Sequence, residues 1–293
     1  MVMNININNL KIFISVADEK SITEAANNLY ISQPAVSKAI KNLEDNLSIK
    51  LFQRDKRNGL LITDVGEKIL LHARQMVNIE NKIYQTAFRD NNFLGSKVKI
   101  GSIPIASTVI LSKAISIFKQ KYPFVSVELL EGSSDKVKKM VEDHIVDFGI
   151  GISPFNDLNY QVLFKDEMVG IISEEQETVD HIDLREDQNN LIFCKSGQEA
   201  TINQLHKDFK IRFNESLIVQ NADTVVNMVK NGVGKGVISK FVLSSVQNDL
   251  TTCTIYPPIK MEIGLIAHSF DDLTPVASEF VRVIYSVQNN FII

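Results

Sequence analysis

The chain has 293 residues, 44% of them hydrophobic and 23% charged, the make-up of an ordinary globular protein of two or three domains. Its net charge of -4 does not announce a nucleic-acid binder, and no apolar run approaches the roughly 20 residues of a membrane span. The first thirty residues include Asp18, Glu19 and Glu24 and lack a basic start, an apolar stretch and a small-residue cleavage site, so no secretory signal is expected and the chain reads as cytoplasmic.

Leu10, Phe13, Ile14 and Ala17 recur at helical spacing and predict an amphipathic helix over residues 8–18. Ser21 followed three residues later by Glu24 is a capping box, so a second helix starts there and carries Ala25, Ala26 and Leu29. Tyr30-Ile31 makes a tight turn. Ser32 then caps a third helix, with Pro34 in its first turn, where a missing amide hydrogen costs nothing. Val36, Ile40, Leu43 and Leu47 form its inner face; Gln33, Ser37, Lys38, Lys41 and Asn42 form its outer face. Two short helices joined by a tight turn predict a helix-turn-helix.

A recognition helix enters the major groove N-terminus first. Gln bridges adenine N6 and N7, Ser contacts several base edges, and Lys reaches guanine or phosphate. After the helix, Leu51-Phe52 anchors the chain. Lys50, Arg54, Lys56 and Arg57 lie within eight residues, opposed only by Asp55. A charge run is usually a solvated face. Here Asn58-Gly59 and the returning Leu60-Leu61-Ile62-Thr63 predict a two-stranded wing, with the basic strand along the phosphates.

Residues 64–90 predict one long helix. Ile69, Ala73, Met76, Glu80, Ile83 and Ala87 step by four and three, with Leu70, Val77 and Tyr84 beside them. Such a seam pairs helices, although a globular neighbour would bury the same face. Asp90-Asn91-Asn92 and Gly95-Ser96 mark a hinge. Beyond it strands alternate with helices. Strands are expected at 98–101, 125–130, 147–152, 191–193, 216–219 and 236–238. Helices are expected at 104–121, 134–144, 199–209 and 223–231. The alternation predicts parallel sheets covered by helices.

Ligands of open α/β sheets bind beyond the carboxyl ends of the strands. Ser102, Ser107, Ser133, Ser134, Ser196, Gln198, Thr201, Asn221 and Thr224 fall at such ends. Hydroxyls and free helix amides suit a small anion, most simply a carboxylate. Ser134 and Thr224 are equally explained as N-caps.

Other signals are set aside. Gly232-Val233-Gly234-Lys235-Gly236 follows a helix and precedes a strand, the reverse of a dinucleotide loop, and reads as a turn. Asp147-Phe148-Gly149 matches a kinase triplet without its companions. The five histidines lack metal spacing. Cys194 and Cys253 read as reduced thiols. No cofactor and no enzyme activity are expected.

From Phe13 to Gly66 the chain resembles the LysR-type transcriptional regulators. The pattern runs Phe13, Ser21, Ala25-Ala26, Leu29, Ser32-Gln33-Pro34-Ala35, Ser37, Ile40, Leu43-Glu44, Leu47, Leu51-Phe52, Arg54, Thr63 and Gly66. Further marks are Lys99-Ile100-Gly101, Tyr122-Pro123, Glu131-Gly132, Asp147-Phe148-Gly149-Ile150 and Asn231-Gly232-Val233-Gly234. The resemblance implies an α/β protein with an N-terminal winged helix-turn-helix, a linker helix, and a C-terminal effector domain of two subdomains like a type 2 periplasmic binding protein. The boundaries expected are 1–63, 64–91 and 95–293, with subdomain I at 95–163 and 267–293 and subdomain II at 164–266. Crossover strands are expected near 160–165 and 262–268, and a returning helix near 275–289.

The resemblance also implies roles. Gln33, Pro34, Ser37 and Lys38 would face the groove, with Ser32 and Lys41 beside them, and Arg54, Lys56 and Arg57 would touch backbone or minor groove. For Pro34, shaping the helix start is the alternative. Ile69, Ala73, Met76 and Ile83 would pair linker helices in a homodimer, commonly a homotetramer. Expected partners are double-stranded promoter DNA with an inverted-repeat site and a small-molecule effector, with RNA polymerase as a further candidate and no membrane. Ser102 and Thr201 fall where the family places effector contacts. A regulator answering to a protein partner or to redox state is the alternative to the ligand-responsive one.

Overall fold

The computed structural model describes residues 5–55, 59–173, 180–186, 191–194, 217–219, 221–244, 246 and 249–288. The chain divides into two units, Met1–Asp90 and Asn91–Ile293.

The first unit begins with α1 (Ile7–Glu19), α2 (Ile22–Asn28) and α3 (Gln33–Leu47). Each start is capped by a side-chain oxygen: Asn6 accepts from the Asn8 amide, Ser21 from Glu24, and Ser32 from Ala35. The apolar stripes meet in one core of Leu10, Phe13, Val16, Ala25, Ala26, Val36, Ile40, Leu43 and Leu51. Phe13 and Phe52 pack edge to face with centroids 5.5 Å apart. The wing is β1 (Phe52–Asp55) paired antiparallel with β2 (Gly59–Ile62), with Arg54 opposite Leu60.

Two polar residues lock this wing to the helices. Glu44 is buried on α3, and its carboxylate accepts the amides of Leu51 at 2.9 Å and Phe52 at 3.4 Å and the Lys50 ammonium at 2.6 Å. Burial pushes this carboxyl up, but the Lys50 ammonium and the two amides outweigh it and hold it below the ordinary glutamate value. Thr63 donates to the Lys50 carbonyl at 2.7 Å and accepts the Gly66 amide at 3.0 Å, capping α4 (Asp64–Ala87). A Cβ on Gly66 would lie 2.5 Å from the Leu51 carbonyl oxygen, so only glycine admits this approach. Along α4, Glu80 bonds Lys11 at 2.7 Å and Arg74 pairs with Asp18, which ties the helix to α1.

The second unit holds β3 (Lys97–Ser102), α5 (Pro104–Ala106), a π-helical turn (Ser107–Leu111), α6 (Ser112–Lys121), β4 (Ser126–Glu131), α7 (Ser134–Glu142) and β5 (Phe148–Ile152). Next come β6 (Asn159–Ile172), β7 (His181–Asp183), β8 (Leu191–Cys194), β9 (Ile218–Val219), α8 (Ala222–Lys230), β10 (Lys235–Ser239) and α9 (Lys240–Ser244). The described residues end with β11 (Thr251–Tyr256), β12 (Lys260–Ala267) and α10 (Pro275–Gln288). The sheet runs β4-β3-β5-β12-β6-β10-β8-β9, with β11 joining β6 to β7. β3 is parallel to β4 and β5, and β8 is parallel to β9 and β10. The antiparallel pair β6 and β12 passes between these two parallel halves, as the crossover-strand expectation requires. α10 returns to the first half, where the Phe280 ring packs tilted on Phe118 with centroids 4.5 Å apart and Glu279 accepts from the Tyr122 hydroxyl at 2.9 Å.

The Asp147-Phe148-Gly149 triplet has a structural role. Asp147 accepts the Lys99 amide at 2.8 Å and returns its own amide to the Lys99 carbonyl, which fixes β5 beside β3. A Cβ on Gly149 would meet Val137 at 2.6 Å, so α7 sits directly on the strand. Gly232, at φ 73°, ends α8: its amide bonds the Val229 carbonyl, and the Val233 amide bonds that of Met228. The glycine-rich stretch therefore is a helix cap and turn.

The structure departs from the sequence expectations in places. The single helix expected over 104–121 is interrupted by the π-helical turn. There Thr108 and Ser112 hydroxyls bond carbonyls four residues back, at 3.1 and 2.6 Å, and compete with the helical ladder. The cap of α7 is Ser133, which accepts the Lys136 amide, and Ser134 lies inside the helix. Strands β7 and β11 and helix α9 were not anticipated from periodicity. The helix expected at 199–209 lies outside the described residues. Cys194 and Cys253 are both buried and carry no disulfide.

Candidate DNA-binding face and effector pocket

α3 buries Val36, Ala39, Ile40, Leu43 and Glu44 and leaves Ser32, Gln33, Pro34, Ser37, Lys38, Lys41 and Asn42 exposed. Gln33, Ser37 and Lys41 follow each other at intervals of four residues, so they form one ridge with Pro34 and Lys38 beside it. The turn before α3 is a Schellman cap on α2: the Ile31 amide bonds the Ala26 carbonyl at 3.0 Å, and the Tyr30 amide bonds Asn27 at 3.1 Å. Tyr30 occupies its left-handed position at φ 54°. The geometry of the recognition helix is thus fixed at its first residue by backbone bonds and by Ser32.

Arg54 projects from the wing and, with Lys20, lines a surface pocket of about 370 Å³ between the α1–α2 turn and the hairpin. Lys20 is a cation that periodicity alone did not single out, because it sits in the break between helices. Lys56 and Arg57 lie outside the described residues.

The seam expected along α4 divides. Ala73 is 1% exposed and Ile69 packs against the same core, so these two residues serve the winged helix of their own chain. Ala73 is closed to a second helix by this burial, whereas Ile69 is half-buried and keeps part of its surface accessible. Met76, Ile79, Ile83 and Tyr84 further along α4 remain exposed.

The strand-end residues of the second unit also divide. Ser102 is fully buried between β4 and β5, and its hydroxyl donates to the Ile103 carbonyl at 3.0 Å. Ser134 is 1% exposed; its hydroxyl donates to the Ile152 carbonyl at 3.0 Å and accepts the Ile152 amide at 2.8 Å. Both hydroxyls bond backbone, that of Ser102 just after β3 and that of Ser134 at the end of β5, so neither stands free at a strand end as the sequence expectation pictured it. Ser107 is half-buried in the π-helical turn, its hydroxyl 3.5 Å from the Ile103 carbonyl oxygen. Thr224 is half-buried in the first turn of α8, whose N-cap Asn221 makes no side-chain capping bond among the described residues. Ser196, Gln198 and Thr201 lie outside the described residues.

A cavity of about 690 Å³ opens over the crossover pair, lined by Ser153, Lys165, Glu167, Lys240, Lys260 and Glu262 among others. Ser153 directly follows β5 and Lys240 directly follows β10, so the cavity adjoins the carboxyl ends of one strand from each half. Lys165 lies opposite Glu262 and Glu167 opposite Lys260, two cross-strand pairs of opposite charge on one face. Lys240 reaches Glu167 at 3.7 Å.

Between Lys165 and Glu167 on β6, Asp166 also lines this cavity and is buried. Its carboxylate accepts the Ser239 hydroxyl, the Phe241 amide at 3.1 Å and the Glu167 amide at 2.8 Å. Asp166 and Ser239 together start α9 and bind β6 to the end of β10. Sequence reasoning missed this pair, since its members are 73 residues apart.

A model of the bacterial regulatory helix-turn-helix of the lysR family matches residues 7–67, and one of the LysR substrate binding domain matches residues 92–288. The chain belongs to the LysR family of transcriptional regulators. As a LysR regulator it binds DNA and carries an effector-binding domain; it is not an enzyme. It is 50% identical over 288 residues to the HTH-type transcriptional regulator YoaU of Bacillus subtilis (strain 168), covering 97% of this chain and 99% of YoaU. The Bacillus subtilis (strain 168) regulator YvbU is 30% identical over 282 residues, 94% of this chain and 97% of YvbU. A full-length OxyR from Pseudomonas aeruginosa shares the fold with a TM-score of 0.73 at 20% identity, covering 97% of this chain and 98% of that one. CbnR in complex with its target DNA shares it with a TM-score of 0.58 at 16% identity, covering 97% of this chain and 100% of CbnR.

Proposed function

We propose that this LysR regulator reads an inverted-repeat promoter site as a homodimer or homotetramer and is switched by a small anionic effector, most simply a carboxylate. The three-part division into winged helix, linker helix and effector domain goes with this reading. Gln33, Ser37 and Lys38 read base edges, with Ser32, Pro34 and Lys41 flanking them. Arg54, together with Lys56 and Arg57, holds the phosphates. Met76 and Ile83 on α4 pair the subunits.

The observation that carries the effector reading is the cavity of about 690 Å³ with Lys165, Lys240 and Lys260 at its wall. Three ammonium groups face three carboxylates there, and one of these, Asp166, is already engaged by the Ser239 hydroxyl and two backbone amides, which leaves the lysines to meet an anion. Ser107, Thr224, Ser196, Gln198 and Thr201 are the further candidates for contacts. An effector held between residues of both halves shifts the balance between two arrangements of those halves, which changes the spacing of the recognition helices.

Thermal shift of the purified protein against a panel of small mono- and dicarboxylates tests this. The expected result is a hit that raises the melting temperature and is lost in Lys240→Ala and Lys260→Ala. A hit unaffected by both changes sinks the lysine pocket. DNA binding is tested by anisotropy across a salt series. No preference for a promoter duplex over random duplex at any salt would refute the DNA-reading assignment.

A further inference from the structure

Among the described residues, Phe93 at φ 55° and Tyr30 at φ 54° carry a benzene ring on the left-handed backbone conformation. The conformation crowds any Cβ and favours glycine or asparagine. Phe93 offsets that cost through burial: it is 3% exposed and packs its ring against Tyr122 at 5.5 Å. Tyr30 is 96% exposed. Its ring gains nothing inside the chain that would offset the backbone cost. The Schellman position it fills is most often glycine, since no side chain is needed to make the two backbone bonds. A tyrosine held there, fully in solvent, therefore has its use outside the chain.

The position says what that use is. Tyr30 stands two residues before the cap of the recognition helix, on the same exposed edge as Ser32 and Gln33. Its φ is set by the Schellman bonds, so the direction in which the side chain leaves the turn is fixed with them. A neutral phenol beside a helix that enters the major groove faces the phosphates bordering that groove. We propose that Tyr30 is a DNA-backbone contact: its hydroxyl donates to a phosphate oxygen beside the groove, and its ring packs on the adjoining sugar. This rests on the assignment of α3 as the helix that enters the groove. It adds a contact that carries no charge and reads no base.

The experiment uses the full chain and two duplexes: one carrying the sequence that the wild-type protein enriches from a random pool, and one scrambled. Binding is measured across a salt series for wild type, Tyr30→Phe, Tyr30→Asn and the control Gln33→Ala. Tyr30→Phe should weaken both duplexes alike by about 3- to 10-fold, the size of one hydrogen bond to a charged group at a wet interface, with no change in salt slope because no cation is lost. Tyr30→Asn should weaken them at least as much while melting at or above the wild-type temperature, because Asn tolerates the left-handed backbone. Affinity unchanged in both variants overturns the proposal. So does a loss confined to the selected duplex, which would mean base reading. So does unchanged DNA affinity with reduced transcription by added RNA polymerase, which would make Tyr30 a protein contact. If Gln33→Ala leaves base preference intact, the assignment of α3 fails instead, and Tyr30 falls with it.

Discussion

The polar residues of α3 and the serines at the strand ends of the second unit carry similar donors and acceptors but meet opposite surroundings. Gln33, Ser37 and Lys38 stand in solvent on α3, whose interior backbone groups bond one another. Ser102 and Ser134 are drawn inside, because β3 and β5 end there and their last backbone groups need partners. A helix frees its polar side chains for other molecules. A strand end consumes them unless a cavity keeps them apart. In the second unit Lys165, Lys240 and Lys260 stand at the wall of the cavity over the crossover strands.

The comparison is broken most sharply inside the first unit, where one polar residue behaves as the strand-end serines do. Glu44→Ala leaves the Leu51 and Phe52 amides without their acceptor and should cost about 3 kcal/mol, read as loss of the wing and of DNA binding together. A loss under about 0.5 kcal/mol would mean that water replaces the carboxylate without penalty. Ser134→Ala should come next, at about 1–3 kcal/mol of stability by denaturant titration. Its effector affinity per folded molecule should stay unchanged. An intact fold with abolished effector response would return Ser134 to the ligand site.

Gln33→Ala is the mirror case. Its stability should change by no more than about 0.5 kcal/mol, while discrimination at one base pair falls by about 1–3 kcal/mol in competition binding. Arg54→Ala should weaken all duplexes alike and lower the salt slope by about 0.9. The smallest effect expected is in pH. Glu44 has a folded pKa below its unfolded one, so its contribution is fully present above the unfolded value of about 4.3 and is lost as pH falls through the folded value. The stability gap between wild type and Glu44→Gln should therefore be flat at neutral pH and close in acid. A gap that widens on acidification would reverse the sign of the shift.

The seam on α4 teaches the same lesson within one helix. Its spacing by fours and threes from Ile69 to Ile83 is continuous, yet Ala73 is covered by the helices of its own chain while Ile83 is 64% exposed. Periodicity identifies an apolar face and is silent about what covers it.

The sequence by itself determined the elements whose signals are local. The capped starts at Ser21 and Ser32, the buried stripe of α3 and the wing turn at Gly59 follow from neighbours within one or two turns, whereas the crossover strands were implied by the family resemblance. Close spacing also explains why Thr63 and Gly66 belong to the pattern: one caps α4 and the other lets it touch Leu51. Only the tertiary structure decided which polar groups remain available. Asp166 finds Ser239 across 73 residues, Ser134 finds Ile152 across 18, and Lys165 faces Glu262 across two strands. A buried backbone amide or carbonyl must be bonded by whatever donor or acceptor the fold brings near. That demand is settled in space, where chain order gives no measure of distance.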